Sequence, residues 1–393
     1  MAGLKLSLGN RGSRVRANRI KALSGGGVIV VLSMFAGLMV GSASNADQSD
    51  PDAEIASQVS SVVDRLTDHE LAGQRVIATF NGTSVPRDVK RAIRTGRLGG
   101  IVLFAENVPS RSAARSVTRQ LQKVRRPSGL DRYPLPIMID QEGGLVKRLS
   151  GAPTASAKTM GRRGPSFSRT QGKRTGKNLK NAGININLAP VLDVARPGGE
   201  IANTDRGFGS TAKRVSATAI PFAKGLQANG VAATAKHFPG LGSVTLNTDD
   251  AVQKIRLSKR ALRKVDEAPY KPFVRADGGL VMVGTAIYTA FGDKPAAFER
   301  KIVTGELRDR LGFDGVAVTD ALETVAGKAF GGSKRVAIAG ARSGMDLFLF
   351  THVKEAAKAE DALAERLHGG GLKRSDFEAS VQRILTMRAG FPG

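Results

Sequence analysis

The sequence predicts an α/β fold, a (β/α)8 TIM-like barrel formed as a single domain. Two observations predict it. Eight apolar strand-like runs recur along the chain, with helical patterns between them. The runs are almost uninterrupted in their apolar character, as in a parallel sheet covered on both faces. Eight such units over about 320 residues suit a barrel of this kind, which typically has ~250 residues and sometimes more than 400. A doubly wound open sheet is the alternative. No Gly-x-Gly-x-x-Gly opens the first unit, which weakens a dinucleotide-binding form of that alternative.

The elements follow in chain order. Lys5, Arg11, Arg14, Arg16, Arg19 and Lys21 form a basic leader without an acidic residue. The apolar run Val28 to Val40 and the small residues Ser42, Ala43, Ser44 and Ala46 come next, as in an export signal. The run is shorter than the ~20 residues a spanning helix prefers. Cleavage and retention as an N-terminal anchor both remain open for residues 1–46. Residues 47–54 are small, polar and acidic, and read as a linker. From Ile55 the spacing of Val59, Val62, Val63 and Leu66 is helical and opens a barrel domain over 55–393. The strand runs are 76–80, 100–104, 135–140, 184–194, 231–237, 280–287, 316–320 and 345–350. Helical patterns fill 111–124, 212–227, 257–273 and 353–367.

The 393 residues include no Cys, which rules out disulfides, thiolate metal sites, a Cys nucleophile and a lipid-modified Cys. The net charge is +26; the six leader cations account for part of it and leave +20 on the rest. Such a body is drawn to polyanions. For an exported protein, an anionic cell-wall polymer or a membrane surface is a better partner than nucleic acid, because no nucleic-acid motif or aromatic stacking series accompanies the cations. A solvated basic surface is the plain alternative. Nothing calls for an obligate dimer, and a monomer is expected.

In such barrels the chemistry sits where strands end. The run Val231–Thr234 leads into Ala235-Lys236-His237-Phe238-Pro239-Gly240. Ile137-Met138-Ile139 ends in Asp140, and Val316-Ala317-Val318-Thr319 ends in Asp320. Asp193 closes a fourth run, and His352 is a further candidate. The Gly143-Gly144 pair after Asp140 permits a sharp turn or close backbone approach, and Arg148 could then reach the same pocket. For Asp320 the structural alternative is a cap on the helix expected at Ala321. The four His show no metal-ligand spacing, and no Gly-x-Ser-x-Gly elbow is present. Two carboxylates near a polar pocket point to glycoside hydrolysis, which needs neither metal nor cofactor. Trp is absent and only three Tyr occur, so a long aromatic-lined glycan groove is not expected and a pocket for one terminal sugar is.

The motifs Asp-Gln-Glu-Gly-Gly (140–144) with Arg148, Asn-Leu-Ala-Pro-Val-Leu-Asp-Val (187–194), Asp-Arg-Gly-Phe-Gly (205–209), Ala-Lys-His-Phe-Pro-Gly (235–240) and Gly-Phe-Asp-Gly-Val-Ala-Val-Thr-Asp (312–320) closely resemble glycoside hydrolase family 3. The resemblance is to its single-domain bacterial β-N-acetylglucosaminidases and covers about residues 55–393. It implies a retaining two-step mechanism with Asp320 as nucleophile. It also implies that Asp140, Arg148, Arg206, Lys236 and His237 hold the hydroxyls of the non-reducing sugar. Lys236 is expected to favour the ionised form of Asp320.

The chain departs from that family pattern in the loop 241–249. An Asp-x-His pair normally supplies the acid/base there, but this chain has Asn247 and Asp249. An Arg is also replaced by Leu145. Three readings follow. Asp249 (or Asp250) acts through a plain carboxyl; the enzyme takes another sugar, as a β-glucosidase would, or an activated leaving group; or the chain is a weakly catalytic relative that binds wall glycan. A solvated loop residue is the plain alternative for Asp249.

Overall fold

The computed structural model describes residues 51–392. Its barrel strands are β1 (Val76–Ala78), β2 (Gly100–Leu103), β3 (Ile137–Ile139), β4 (Ile186–Asn187), β5 (Ala232–Phe238), β6 (Leu280–Val283), β7 (Val316–Thr319) and β8 (Phe348–Leu349). They form one eight-stranded parallel sheet in the order β7-β6-β5-β4-β3-β2-β1-β8. A parallel bridge between Val318 and Leu347 joins the two ends, and the Thr319 N–H donates to the Leu347 carbonyl at 2.9 Å. The sheet closes into the predicted barrel, and the open-sheet alternative falls.

Both faces of the strands are buried, which explains their uninterrupted apolar sequence. Ile77, Val102, Met138, Ile186, Met282 and Val318 pack inside the barrel. Their neighbours Val76, Leu103, Ile139, Val283 and Ala317 pack outward into the larger core beneath the helices. The helix Ala212–Gln227 occupies the predicted span and is capped by Thr211, whose side chain accepts from the Arg214 N–H. It lies so close to the helix Pro165–Asn181 that a Cβ at Gly172 would sit 2.1 Å from the Phe222 carbonyl.

The C-terminal helix Arg374–Ala389 closes the lower end of the barrel. Ile384 and, just beyond the helix, Phe391 join the interior cluster. The buried Arg388 donates to the carbonyls of Leu130, Tyr133 and Pro134 and to the Gln74 side chain. These acceptors precede β3 and β1, so the helix covers the N-terminal ends of the strands and leaves the opposite mouth open. Burial pulls the Arg388 guanidinium down to about 9.

Several boundaries differ from the sequence expectation. The run 184–194 contributes only β4 and a bridge from Val191 to Lys236, because Pro190 offers no N–H to a ladder. The run 280–287 divides at Gly284, and Ile287–Tyr288 pairs separately with Lys254–Ile255. The helix expected over 257–273 is broken into short turns, with Pro269 immediately ahead of Tyr270–Val274. The first helix runs Pro51–Val63, so residues 51–54 of the expected linker are helical, with Asp52 and Glu54 favourably placed in its first turn. The expected signal or anchor at 1–46, and the start of the linker, lie outside the described residues. Among the described residues, no helix is long and apolar enough to cross a membrane.

Candidate active site

The open mouth carries a cavity of about 240 Å³. Seven of the candidate residues named from the sequence line it: Asp140, Arg148, Arg206, Lys236, His237, Asp249 and Asp320; Asp193, Asp250 and His352 do not. Asp140 follows β3, Lys236 and His237 lie on β5, Asp320 follows β7, and Arg206 and Asp249 come from the loops after β4 and β5. The Lys236–His237 and Phe238–Pro239 peptide bonds are cis.

The loop after β3 shows why its sequence is special. Gly143 and Gly144 take φ values of +100° and +64°, and a Cβ at Gly143 would meet the Ala155 carbonyl at 2.2 Å. The buried Gln141 holds the returning strand. Its amide donates to the Leu149 and Ala152 carbonyls and accepts from the Arg148 and Leu149 N–H groups. Arg148 is thereby aimed at the cavity. Its Nε is buried without a partner, and its guanidinium lies over the Phe104 ring at 5.7 Å.

A row of alternating charges forms one wall. Lys236 Nζ lies 2.6 Å from Asp140 and 2.7 Å from Glu142. Glu142 also takes both arms of Arg206, at 3.0 and 2.9 Å, and Arg206 reaches Glu200 at 3.6 Å. Burial pushes the Glu142 carboxyl up, but Lys236 and Arg206 together outweigh it and hold it at about 2. Burial likewise pulls the Lys236 ammonium down, but Asp140 and Glu142 outweigh it and raise it above its ordinary value. Lys236 thus spends its charge on these two carboxylates. No ion pair between Lys236 and Asp320 is present among the described residues.

His237 is held from behind. Asp193 accepts from His237 Nδ1 at 2.7 Å, and its other oxygen accepts from the N–H groups of His237 and Leu241. A carboxylate at Nδ1 fixes the proton there and leaves Nε2 for the cavity side.

Two carboxyls, those of Asp249 and Asp320, line the same cavity. Asp320 accepts from the Ala321 N–H at 2.8 Å, while the next helix starts only at Val325 and is capped by Thr324. Helix capping therefore does not account for Asp320. Asp249 lies at the solvent-accessible rim, yet enough protein surrounds its carboxyl that burial is the largest cause raising it to about 6. The Asp320 charge is the second cause, and His237 opposes both.

His352 is not part of this group; it is exposed, does not line the cavity, and is hydrogen-bonded to Glu323 and Thr351. Sequence reasoning assigned no role to Glu142, Gln141 or Glu200. Glu142 stood in the quoted motif, but its position between two cations from distant parts of the chain leaves no local signal. A second group, His69, Glu360 and Asp361, has metal-like proximity, but Arg97 already pairs with both of its carboxylates.

Residues 66–387 match the glycosyl hydrolase family 3 N-terminal domain. The chain belongs to glycoside hydrolase family 3. It is 35% identical over 328 residues to a protein of Arthroderma benhamiae named an uncharacterized secreted glycosyl hydrolase, covering 81% of this chain and 92% of that one. It is 30% identical over 329 residues to a beta-hexosaminidase of Bordetella parapertussis, covering 80% and 88%. Among solved structures, the family 3 beta-N-acetylglucosaminidase of Paenibacillus sp. str. FPU-7 is 31% identical with a TM-score of 0.79, covering 84% of this chain and 64% of that one. The beta-N-acetylhexosaminidase of Beutenbergia cavernae is 29% identical with a TM-score of 0.77, covering 82% and 98%. The family 3 chain described here is a glycoside hydrolase of the type that these relatives represent.

Proposed function

We propose that this family 3 hydrolase removes terminal β-linked N-acetylglucosamine with net retention, using Asp320 as nucleophile and Asp249 as acid/base. One observation carries the assignment of Asp249: its carboxyl shares the cavity with Asp320 and is raised to about 6. A general acid must be protonated near working pH, and burial beside a second carboxylate produces that condition.

The chemistry divides into two steps. Asp320 attacks the anomeric carbon while Asp249 gives its proton to the departing glycosidic oxygen. An ester between the sugar and Asp320 forms as the C–O bond to the leaving group breaks. The negative charge of Asp320 disappears in that ester, which removes the second-largest cause of the raised Asp249 pKa. Asp249 becomes a stronger acid than in the free enzyme, and remains ionised to accept a proton from water. The water oxygen attacks the same carbon and releases Asp320. Two inversions give retention.

Asp140, Arg148, Arg206, Lys236 and His237 hold the sugar. Arg148 has donors to spare, and Lys236 is fixed by two carboxylates so that its remaining N–H reaches a hydroxyl. The cavity is small beside the ~300–1,000 Å³ of sites for drug-sized ligands, which supports binding of one sugar unit. All three tyrosines are buried and none lines the cavity, in keeping with an exo-acting enzyme. The N-acetyl preference is supported by the relatives named beta-hexosaminidases. Export is supported by the basic leader and apolar run and by the relative named secreted. Peptidoglycan fragments or glycoconjugates are then the substrates within reach, and the basic body would hold anionic wall polymer.

The test is hydrolysis of methyl and p-nitrophenyl β-N-acetylglucosaminides beside the matching β-glucosides, with the first-formed anomer read by proton NMR. The β-anomer of N-acetylglucosamine is expected first. An α-anomer first, or faster turnover of the glucosides, would overturn the proposal.

A further inference from the structure

The large apolar side chains that stand exposed among the described residues are Leu145, Leu246, Val252 and Val325. They do not scatter over the surface. Leu145, which is 76% exposed, adjoins Val146, a residue of the cavity wall. Leu246 is 59% exposed and lines the cavity itself. Val325 donates its N–H to the Asp249 carbonyl at 3.3 Å. Val252 ends the same loop, three residues after Asp249. On a chain with 60 basic and 34 acidic residues, every such side chain falls on one of the three segments that follow β3, β5 and β7, each of which contributes residues to the cavity. Single exposed apolar residues need no explanation, but a collar of them around a cavity does.

We propose that this collar binds the leaving group, and that the enzyme prefers glycosides whose aglycone is apolar. The inference rests on the glycosidase reading above. The acid must touch the glycosidic oxygen, so the atoms beyond that oxygen leave along the Asp249 loop. Leu246 lies three residues before Asp249, and Val325 is hydrogen-bonded to it. The cavity is filled by one sugar, so the aglycone has only the collar to rest on. Trp is absent and the three tyrosines are buried, so neither residue type offers a platform there for a second sugar ring. An alkyl, aryl or lipid-like aglycone therefore matches it better than a polyhydroxylated one.

Ethyl and hexyl β-N-acetylglucosaminides separate binding from chemistry, because their alcohols leave almost equally well. The full chain is expected to show roughly tenfold or greater kcat/KM on the hexyl glycoside, since each buried methylene is worth up to about fourfold. In Leu145→Ser/Leu246→Ser the hexyl-to-ethyl ratio should fall to about one to three. The ratio is read within one protein, so any loss common to both substrates cancels. Equal rates on both glycosides in the wild type, or a ratio that survives the double substitution, would overturn the proposal and leave the glycosidase reading standing. Hydrolysis of neither glycoside by folded protein would remove both. Sedimentation of wild type and variant, and flotation with phosphatidylcholine vesicles, test the other occupants. A dimer or a vesicle-bound form lost in the variant would mean that a second copy or a lipid surface covers the collar, and would also overturn it.

Discussion

Replacing Asp249 by Asn removes the proton that the raised carboxyl would donate, while keeping its size. With Asp249 at about 6, it is mostly protonated at pH 5 and half protonated at pH 6. Its protonated fraction then falls about fivefold between pH 6 and 7 and about tenfold per unit beyond, as for any single acid required in one form. On a methyl glycoside, whose alcohol leaves poorly, kcat/KM of the wild type should follow that limb. Asp249→Asn should lose about 10²- to 10⁴-fold on this substrate, the usual share of general acid catalysis, and the limb should vanish. On the p-nitrophenyl glycoside the first step needs little acid help, so kcat/KM should fall less than about tenfold while kcat falls further. That kcat loss reflects the missing base in the second step. Azide, a nucleophile needing no base, should restore it and yield the β-glycosyl azide. The assay is a stopped series of initial rates from pH 4 to 8 on both substrates. Equal losses on the two leaving groups, or a limb near pH 6 that persists in Asp249→Asn, would refute the reasoning.

Other predictions concern the supporting structure. Glu142→Gln leaves Lys236 and Arg206 buried without their shared carboxylate, and should cost about 3–5 kcal/mol at pH 7 by urea unfolding. Glu142 is held at about 2 against an ordinary 4.5, so its contribution is present above pH 4.5 and disappears as pH falls through about 2. The wild type should lose stability over that window more steeply than Glu142→Gln. Asp193→Asn should keep the fold but present the wrong His237 tautomer, lowering kcat/KM at least ~10-fold; an unchanged value would show that the His237 orientation is immaterial. Arg388→Met strips donors from three buried carbonyls and should cost about 3 kcal/mol or more in unfolding measurements, because each orphaned acceptor costs ~1–3 kcal/mol. Its pH–rate profile should match that of the wild type, because Arg388 lies at the far end of the barrel.

The fold was legible because its determinants are local. Strands such as Val316–Thr319 are apolar throughout, and the helix Ala212–Gln227 repeats its apolar face from Val215 to Leu226. Boundaries slipped where a single residue vetoes hydrogen bonding, as Pro190 does after β4 and Pro269 does ahead of Tyr270. At the site, the ionisable residues that line the cavity, Glu200 excepted, could be named from a strand end, a quoted motif or the loop 241–249. Its wiring could not. Lys236 is paired with the buried Glu142 and with Asp140, and a partner 96 residues away along the chain leaves no periodic trace. Likewise the His237 tautomer depends on Asp193, which the sequence placed on the same face but could not place at 2.7 Å. The raised Asp249 carboxyl is a product of enclosure and of Asp320 across the cavity, neither of which a loop sequence encodes. The fates of 1–46 and of the leader charges belong to residues outside those described.

The most direct test of a covalent, retaining mechanism is to trap its intermediate. The full chain is treated with a 5-fluoro-β-N-acetylglucosaminyl fluoride, which forms the glycosyl-enzyme faster than water can release it. Intact mass and peptide sequencing then locate the label. One sugar per chain on Asp320, with turnover abolished in Asp320→Asn, is the predicted result. A label on Asp249 or another side chain, or an Asp320→Asn variant that still turns over the p-nitrophenyl glycoside at the wild-type rate, would contradict it.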